Sequence, residues 1–268
     1  MACRDVYQSR LLRQKAEEAS FEAIQKAKDV PVKRLLFGVD SIAPANEILQ
    51  NNLTLFEWVT RNKIYPNFWG RIIGGENGLS KEEIKFLHEQ GCKIVPTFIS
   101  TEIKETEEQG KKLAEEISAL ATELEIPMGK AIFLTIQEND LIKTNFMKGF
   151  AETMLEHGYT PGYKVNTDAK FHFDREYSRG MQIAKDIFEK SIIWALAPSL
   201  PEYERVTTTH LIHPDFWKPF APSAIMRNEI VIWQYGKNCH PIYSDNDNEI
   251  TFNINLVRNK YMIINKML

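Results

Sequence analysis

Eight short apolar runs punctuate the chain from Leu35 onward, and any architecture for this sequence must pair all of them. They read LLFGVD (35–40), NFWGRIIGG (67–75), CKIVPTFI (92–99), AIFLTIQ (131–137), TPGYKVN (160–166), SIIWALA (191–197), EIVIWQY (229–235) and ITFNIN (250–255). Helix-forming stretches lie between most of them. SKEEIKFLHEQ begins with a Ser three residues before a Glu, a capping-box pattern, and stops at Gly91. TEIKETEEQGKKLAEEISALATELEI runs to Pro127, LIKTNFMKGFAETMLEH stops at Gly158, and a further helix covers residues 174–190. Strands that alternate with helices build a parallel sheet with the helices outside it. Eight such units over residues 35–268 predict an α/β fold, the (β/α)8 TIM barrel. Segments 198–228 and 236–249, rich in Pro, Asn, Asp and His, predict loops in place of the last helices. A doubly wound open sheet is the rival, but neither G-x-G-x-x-G after the first strand nor a P-loop is present.

Residues 1–34 precede the barrel. Within them RDVYQSRLLRQKAEEASFEAIQKAK (4–28) lacks Gly and Pro and spaces Leu11, Leu12, Ala16, Ala19 and Ala23 at helical intervals, which predicts an N-terminal helical extension with a thin apolar stripe. Such a helix could lie on the surface, tether the barrel or bind a protein partner. The net charge of -3, from 33 Lys+Arg against 36 Asp+Glu, removes the general electrostatic argument for nucleic acid or an anionic membrane surface. No apolar run approaches the roughly 18 residues of a membrane span, and the first residues lack the apolar core of a secretory signal. A cytoplasmic protein, or one delivered by a non-classical route, is the expectation. Cys3, Cys92 and Cys239 form no paired motif, so reduced thiols are expected.

In a barrel of this type chemistry sits at the carboxyl ends of the strands. The polar residues there are Asp40, Arg71 to Glu76, Gln137 with Glu138, Asn166 with Asp168, the Trp194 region, Gln234 between Trp233 and Tyr235, and Asn253 with Asn255. Alternation along the fourth run sends Ile132, Leu134 and Ile136 towards the helices. Ala131, Phe133, Thr135 and Gln137 then face the interior, with Gln137 in the mouth. Asp40 ends the first run in the same manner. Trp233 and Tyr235 share one face and Gln234 takes the other, so only one set can line a site. His210, His213 and Asp215 suggest a metal only loosely, since Pro214 disrupts helical spacing, and no metal or cofactor is expected.

Taken in order, Phe37-Gly38-Val39-Asp40, Trp69-Gly70-Arg71-Ile72-Ile73-Gly74-Gly75, Leu79-Ser80, Ile94-Val95-Pro96-Thr97-Phe98, Ile126-Pro127-Met128-Gly129, Gly158-Tyr159 with Gly162-Tyr163, and Ile232-Trp233-Gln234-Tyr235 carry a resemblance. Over about residues 35–256 the chain resembles a bacterial glycoside-hydrolase-like TIM-barrel family, a domain of unknown function similar to the Chalaropsis-type lysozymes of glycoside hydrolase family 25. Those lysozymes cut the glycan of peptidoglycan. The resemblance implies an Asp at the end of the first strand, an Asp-x-Glu at the end of the fourth and an Asp in the last. Here Asp40 is kept, Thr135 and Gln137 stand at the fourth strand, and Asn253 replaces the last Asp.

Glycoside hydrolysis normally requires two carboxyl groups, about 5 to 5.5 Å apart for retention or roughly 6.5 to 9.5 Å for inversion. Gln keeps the shape of Glu but cannot transfer a proton, a loss of about 10²- to 10⁴-fold in rate. Glu138, one residue later, would have to be turned back by a bulge or loop to join Asp40. The candidate catalytic set is therefore Asp40, Glu138 and Gln137, and the candidate substrate-binding set is Arg71, Glu76, Asn166, Trp194, Trp233, Gln234 and Asn253. Two functions compete: a muramidase-like glycosidase acting on peptidoglycan or another amino-sugar polymer, and a non-catalytic barrel that binds such a glycan or docks through its N-terminal helix.

Overall fold

The computed structural model describes residues 36–49, 52–61, 63–101, 103–138, 140–207, 210, 217–241, 250–258 and 263–268. The expected N-terminal helix lies outside these residues.

All eight apolar runs form strands: β1 (Leu36–Asp40), β2 (Phe68–Ile72), β3 (Lys93–Ile99), β4 (Ala131–Ile136), β5 (Thr160–Val165), β6 (Ile192–Leu196), β8 (Ile230–Pro241) and β9 (Phe252–Val257). A two-residue strand, β7 (Arg205–Val206), pairs with the far end of β8. β1 to β6 are parallel in sequential order, β8 joins β6 in parallel, and β9 closes the barrel between β8 and β1. The closure departs from eight βα repeats, because β9 is antiparallel to both neighbours. Antiparallel neighbours need no crossover helix between them, which suits the loop-forming composition before β9. β8 also continues to Pro241, through part of the segment whose composition predicts a loop.

The helices are α1 (Leu55–Thr60), α2 (Lys81–Glu89), α3 (Glu107–Glu123), α4 (Thr144–Glu156), α5 (His172–Ile183) and α6 (Lys185–Phe188). The first, α1, has no counterpart in the sequence expectations. Thr54 and Glu57 close a full capping box on α1, and Thr106 with Gln109 does so on α3. At α2 only half of the expected box forms. The Ser80 side chain accepts from the Glu83 N–H, while the Glu83 carboxylate turns to Arg71 and to the Ala45 N–H.

Strand alternation sorts the core into two layers. Val39, Trp69, Ile94, Ile132, Leu134, Tyr163, Ile193 and Trp233 face outward and pack with Leu87, Ile117, Phe146, Phe150, Phe173 and Tyr177 of the helices. Phe68, Val95, Ala131, Phe133, Trp194, Ile232 and Val257 fill the bore, and Ile263 and Met267 plug its amino-terminal end. Large rings fit inside because three strands carry glycine against them: Gly38 against Phe68, Gly70 against Trp194, and Gly162 against Phe133. Phe133 and Trp194 then meet edge to face, 5.5 Å between centroids. Outside, Gly110 of α3 and Gly149 of α4 let the two helices approach backbone to backbone.

A Cβ added at Gly70 would sit 2.6 Å from Asp40 Cβ and 2.7 Å from the Trp194 ring. Gly70→Ala is expected to destabilise the barrel by about 1–3 kcal/mol through overpacking, measured as a lower urea midpoint.

Candidate functional site

β1 and β5 stand opposite each other in the ring of eight strands. Alternation turns Asp40 inward from the end of β1 and Lys164 inward from β5, in step with Gly162. Their side chains meet in a salt bridge that spans the bore, and the residues are only 5% and 7% exposed. Two amides from β9 complete the cluster. Asn253 Nδ2 donates to Asp40 Oδ2 at 2.9 Å and Asn255 Nδ2 donates to Oδ1 at 2.7 Å. Asn255 Oδ1 in turn accepts from Trp194 Nε1 at 2.9 Å, and the Lys164 ammonium lies 4.3 Å from the Trp194 ring centroid. Both carboxylate oxygens of Asp40 are thus taken by internal donors. The antiparallel direction of β9 makes this possible, since it places Asn253 beside Asp40 in the mouth.

The fourth strand ends differently from expectation. β4 stops at Ile136, and Gln137 and Glu138 are both exposed at the start of the following loop. The Gln137 N–H donates to Asp140 Oδ2 at 3.0 Å, and Asp140 pairs with buried Lys104 of the β3–α3 loop at 3.1 Å. Lys104 Nζ also donates to the Ser100 carbonyl, and a bridge between Lys104 and Ile142 lays the two loops side by side. These contacts turn the chain outward after Ile136. Glu138 Oε1 accepts from Asn166 Nδ2 at 2.9 Å, so this carboxylate is held at the β4–β5 rim, while Asp40 is engaged by other partners in the bore.

Trp194 and Asn253, both expected in the site, belong to the Asp40 cluster. Gln234 also faces inward, in register with Leu196 and Asn255, and its Oε1 is buried without a hydrogen-bond partner. Trp233 takes the outer face, donating to the Ala197 carbonyl at 2.8 Å and packing on Trp217 and Tyr235, so the inward set is Gln234 rather than the aromatics. Arg71 likewise does not reach the mouth. It is fully buried on the helix side, pairs with Glu83 at 2.7 Å and donates to the carbonyls of Ser41, Ile42 and Asn77, tying the loops after β1 and β2 together. Glu76 is exposed in the β2–α2 loop. Lys164 is the cluster member that sequence reasoning passes over. Its signal is the spacing Gly162-Lys164 in a strand otherwise read as apolar.

His210 accepts from the Thr207 N–H through Nδ1 and places Nε2 3.6 Å from Glu204; His213 and Asp215 lie outside the described residues. Among the described residues no helix is long and apolar enough to cross a membrane.

No protein-family model matches the chain, nor does any curated protein sequence. Among solved structures, an uncharacterized B. stearothermophilus protein superposes with a TM-score of 0.71 at 22% identity, covering 87% of this chain and 100% of that one. The catalytic domain of endolysin ply40, from bacteriophage P40 of Listeria monocytogenes, superposes with a TM-score of 0.52 at 11% identity, covering 88% of this chain and 99% of that domain. The chain therefore shares its barrel fold with these two proteins, one of them an endolysin catalytic domain.

Removing one partner of a buried ion pair strands the other. Lys164→Met alone is expected to cost about 3–5 kcal/mol in urea unfolding, and Lys164→Met combined with Asp40→Asn to cost clearly less than the single change. Burial pushes the thiols of Cys92 and Cys239 up to about 12. A thiol reagent at pH 8 is expected to leave both unlabelled in the native protein and to label both in denaturant, as read by mass spectrometry of peptides.

Proposed function

We propose that this barrel binds a peptidoglycan-type amino-sugar glycan and does not hydrolyse it. The observation that carries the reading is the filling of Asp40. A nucleophile or general acid must present an oxygen to the scissile bond, and here the oxygens of Asp40 face Lys164, Asn253 and Asn255. The ammonium also occupies the bore where a sugar ring would have to reach that carboxylate. Glu138, the other acid of the candidate pair, is exposed at the rim and is held by Asn166. Gln137 and Asn253 at the positions where the resemblance implies acids agree with lost proton transfer and retained hydrogen bonding. The fold shared with an endolysin catalytic domain supports the choice of glycan class. The exposed amide and carboxylate groups at the mouth are of the kind that recognise sugar hydroxyls.

The test measures release of reducing ends from purified peptidoglycan and chitin oligomers between pH 4 and 8, beside binding of the protein to the same materials. No release above background, with binding retained, is the expected result for the wild type and Glu138→Gln. Release that Glu138→Gln or Asp40→Asn abolishes would establish a hydrolase built on the Asp40 and Glu138 pair and overturn the proposal. Absence of binding to every glycan would overturn it as well.

A further inference from the structure

β8 outruns the barrel. Its last pairing with β6 is at Gln234, after which a bulge at Gly236 carries residues 237–241 above the mouth as a wall, flanked by β7 and the start of β9. Against this wall lies the loop between β6 and β7. Tyr203 of that loop is 61% exposed and stacks on His240 of β8, with ring centroids 6.1 Å apart and planes inclined by 22°. The contact holds one face of the tyrosine and leaves the other towards solvent.

One backbone conformation at this place is costly. Tyr203 has φ 62°, in the left-handed region that a bulky aromatic rarely adopts, while Asn238 at φ 51° is of a type that tolerates it. Strain of this type persists where surrounding contacts impose it and concentrates at binding sites. Those contacts are present. Asn238 Nδ2 donates to Glu202 Oε1, Lys237 pairs with the same oxygen at 3.3 Å, and the His240 N–H donates to the Glu204 carbonyl at 3.0 Å. The Asn238 N–H donates to Asn253 Oδ1 at 2.9 Å, and Asn253 donates to Asp40, so the wall is joined by hydrogen bonds to the cluster in the bore.

We infer that Tyr203, backed by His240 and edged by Glu202 and Lys237, is a stacking platform for one pyranose ring of the glycan. The inference rests on the glycan-binding reading and names a subsite for it. A flat ring open on one face matches the apolar C–H face of a sugar. The half-exposed carboxylate of Glu202 and ammonium of Lys237 stand where equatorial hydroxyl or N-acetyl groups would project. Tyr203 is bordered by Glu202, Lys237 and Asn238, a single ring among polar groups of the kind a sugar presents hydroxyls to. The left-handed φ of Tyr203 turns the ring onto His240 at the expense of local stability.

The experiment is calorimetric titration of the chain with an N-acetylglucosamine hexamer and with soluble peptidoglycan fragments, for the wild type, Tyr203→Phe, Tyr203→Ala and Tyr203→Gly. Thermal unfolding is recorded for each variant. Expected are wild-type binding, retention within about threefold in Tyr203→Phe, and a loss of tenfold or more in Tyr203→Ala and Tyr203→Gly. Tyr203→Gly, which relieves the left-handed strain, is expected to unfold no earlier than the wild type, separating lost recognition from lost folding. Wild-type binding that Tyr203→Ala leaves unchanged would overturn the platform while leaving the glycan-binding reading standing. No binding by the wild type would overturn both.

Discussion

The Lys164 ammonium reaches Asp40 from the opposite strand of the barrel, and the character of the mouth follows from that one contact. A buried charge must be paired, and the surroundings show how completely this pair is provided for. Two amides from an antiparallel strand fill the remaining carboxylate positions, and an indole ring lies beside the ammonium while its N–H fixes one of the amides. Losing Asn255 would take the partner from Asp40 Oδ1 and from the Trp194 N–H, and shortening Lys164 would leave the buried carboxylate without its counter-charge. The cluster therefore behaves as a structural plug laid across the place where this class of barrel holds its reacting groups.

A second buried pair, Arg71 with Glu83, does for the loops what Lys164 and Asp40 do for the bore. Arg71 gathers three loop carbonyls and Glu83 gathers the Ala45 N–H, so the turns after β1 and β2 are fixed from beneath. The Lys104–Asp140 pair sets the turn after β4 and directs Glu138 to the rim. Three ion pairs at three levels thus shape a mouth whose floor is closed and whose edges carry the groups able to meet a ligand. The proposal of recognition without turnover draws on this arrangement, and the overlong β8 adds a wall above it.

What could be read from residues alone was the part governed by local rules. Period-two alternation decided that Ala131 and Phe133 face the bore while Ile132 and Leu134 face the helices. The Ser80 cap announced a helix before any packing was considered. The same rules failed where a long-range partner intervened. Glu83 looked like the second half of a capping box, yet Arg71 claims it. Gln137 looked like the inward end of a strand, yet a loop tied by Lys104 takes the chain away from that face after Ile136.

The sequence by itself determined that the eight apolar runs would form strands, which side chains of the fourth share a face, and that Gln and Asn stand where the resemblance implies acids. These follow from side-chain chemistry and a period of two, which need no knowledge of neighbours. Only the tertiary structure decided that the last strand runs antiparallel, that Lys164 crosses the bore to Asp40, that Arg71 serves the loops, and that Tyr203 meets His240 on a wall above the mouth. Each of these joins residues from separate strands or loops. Their pairing depends on barrel closure and strand order, which no local pattern encodes.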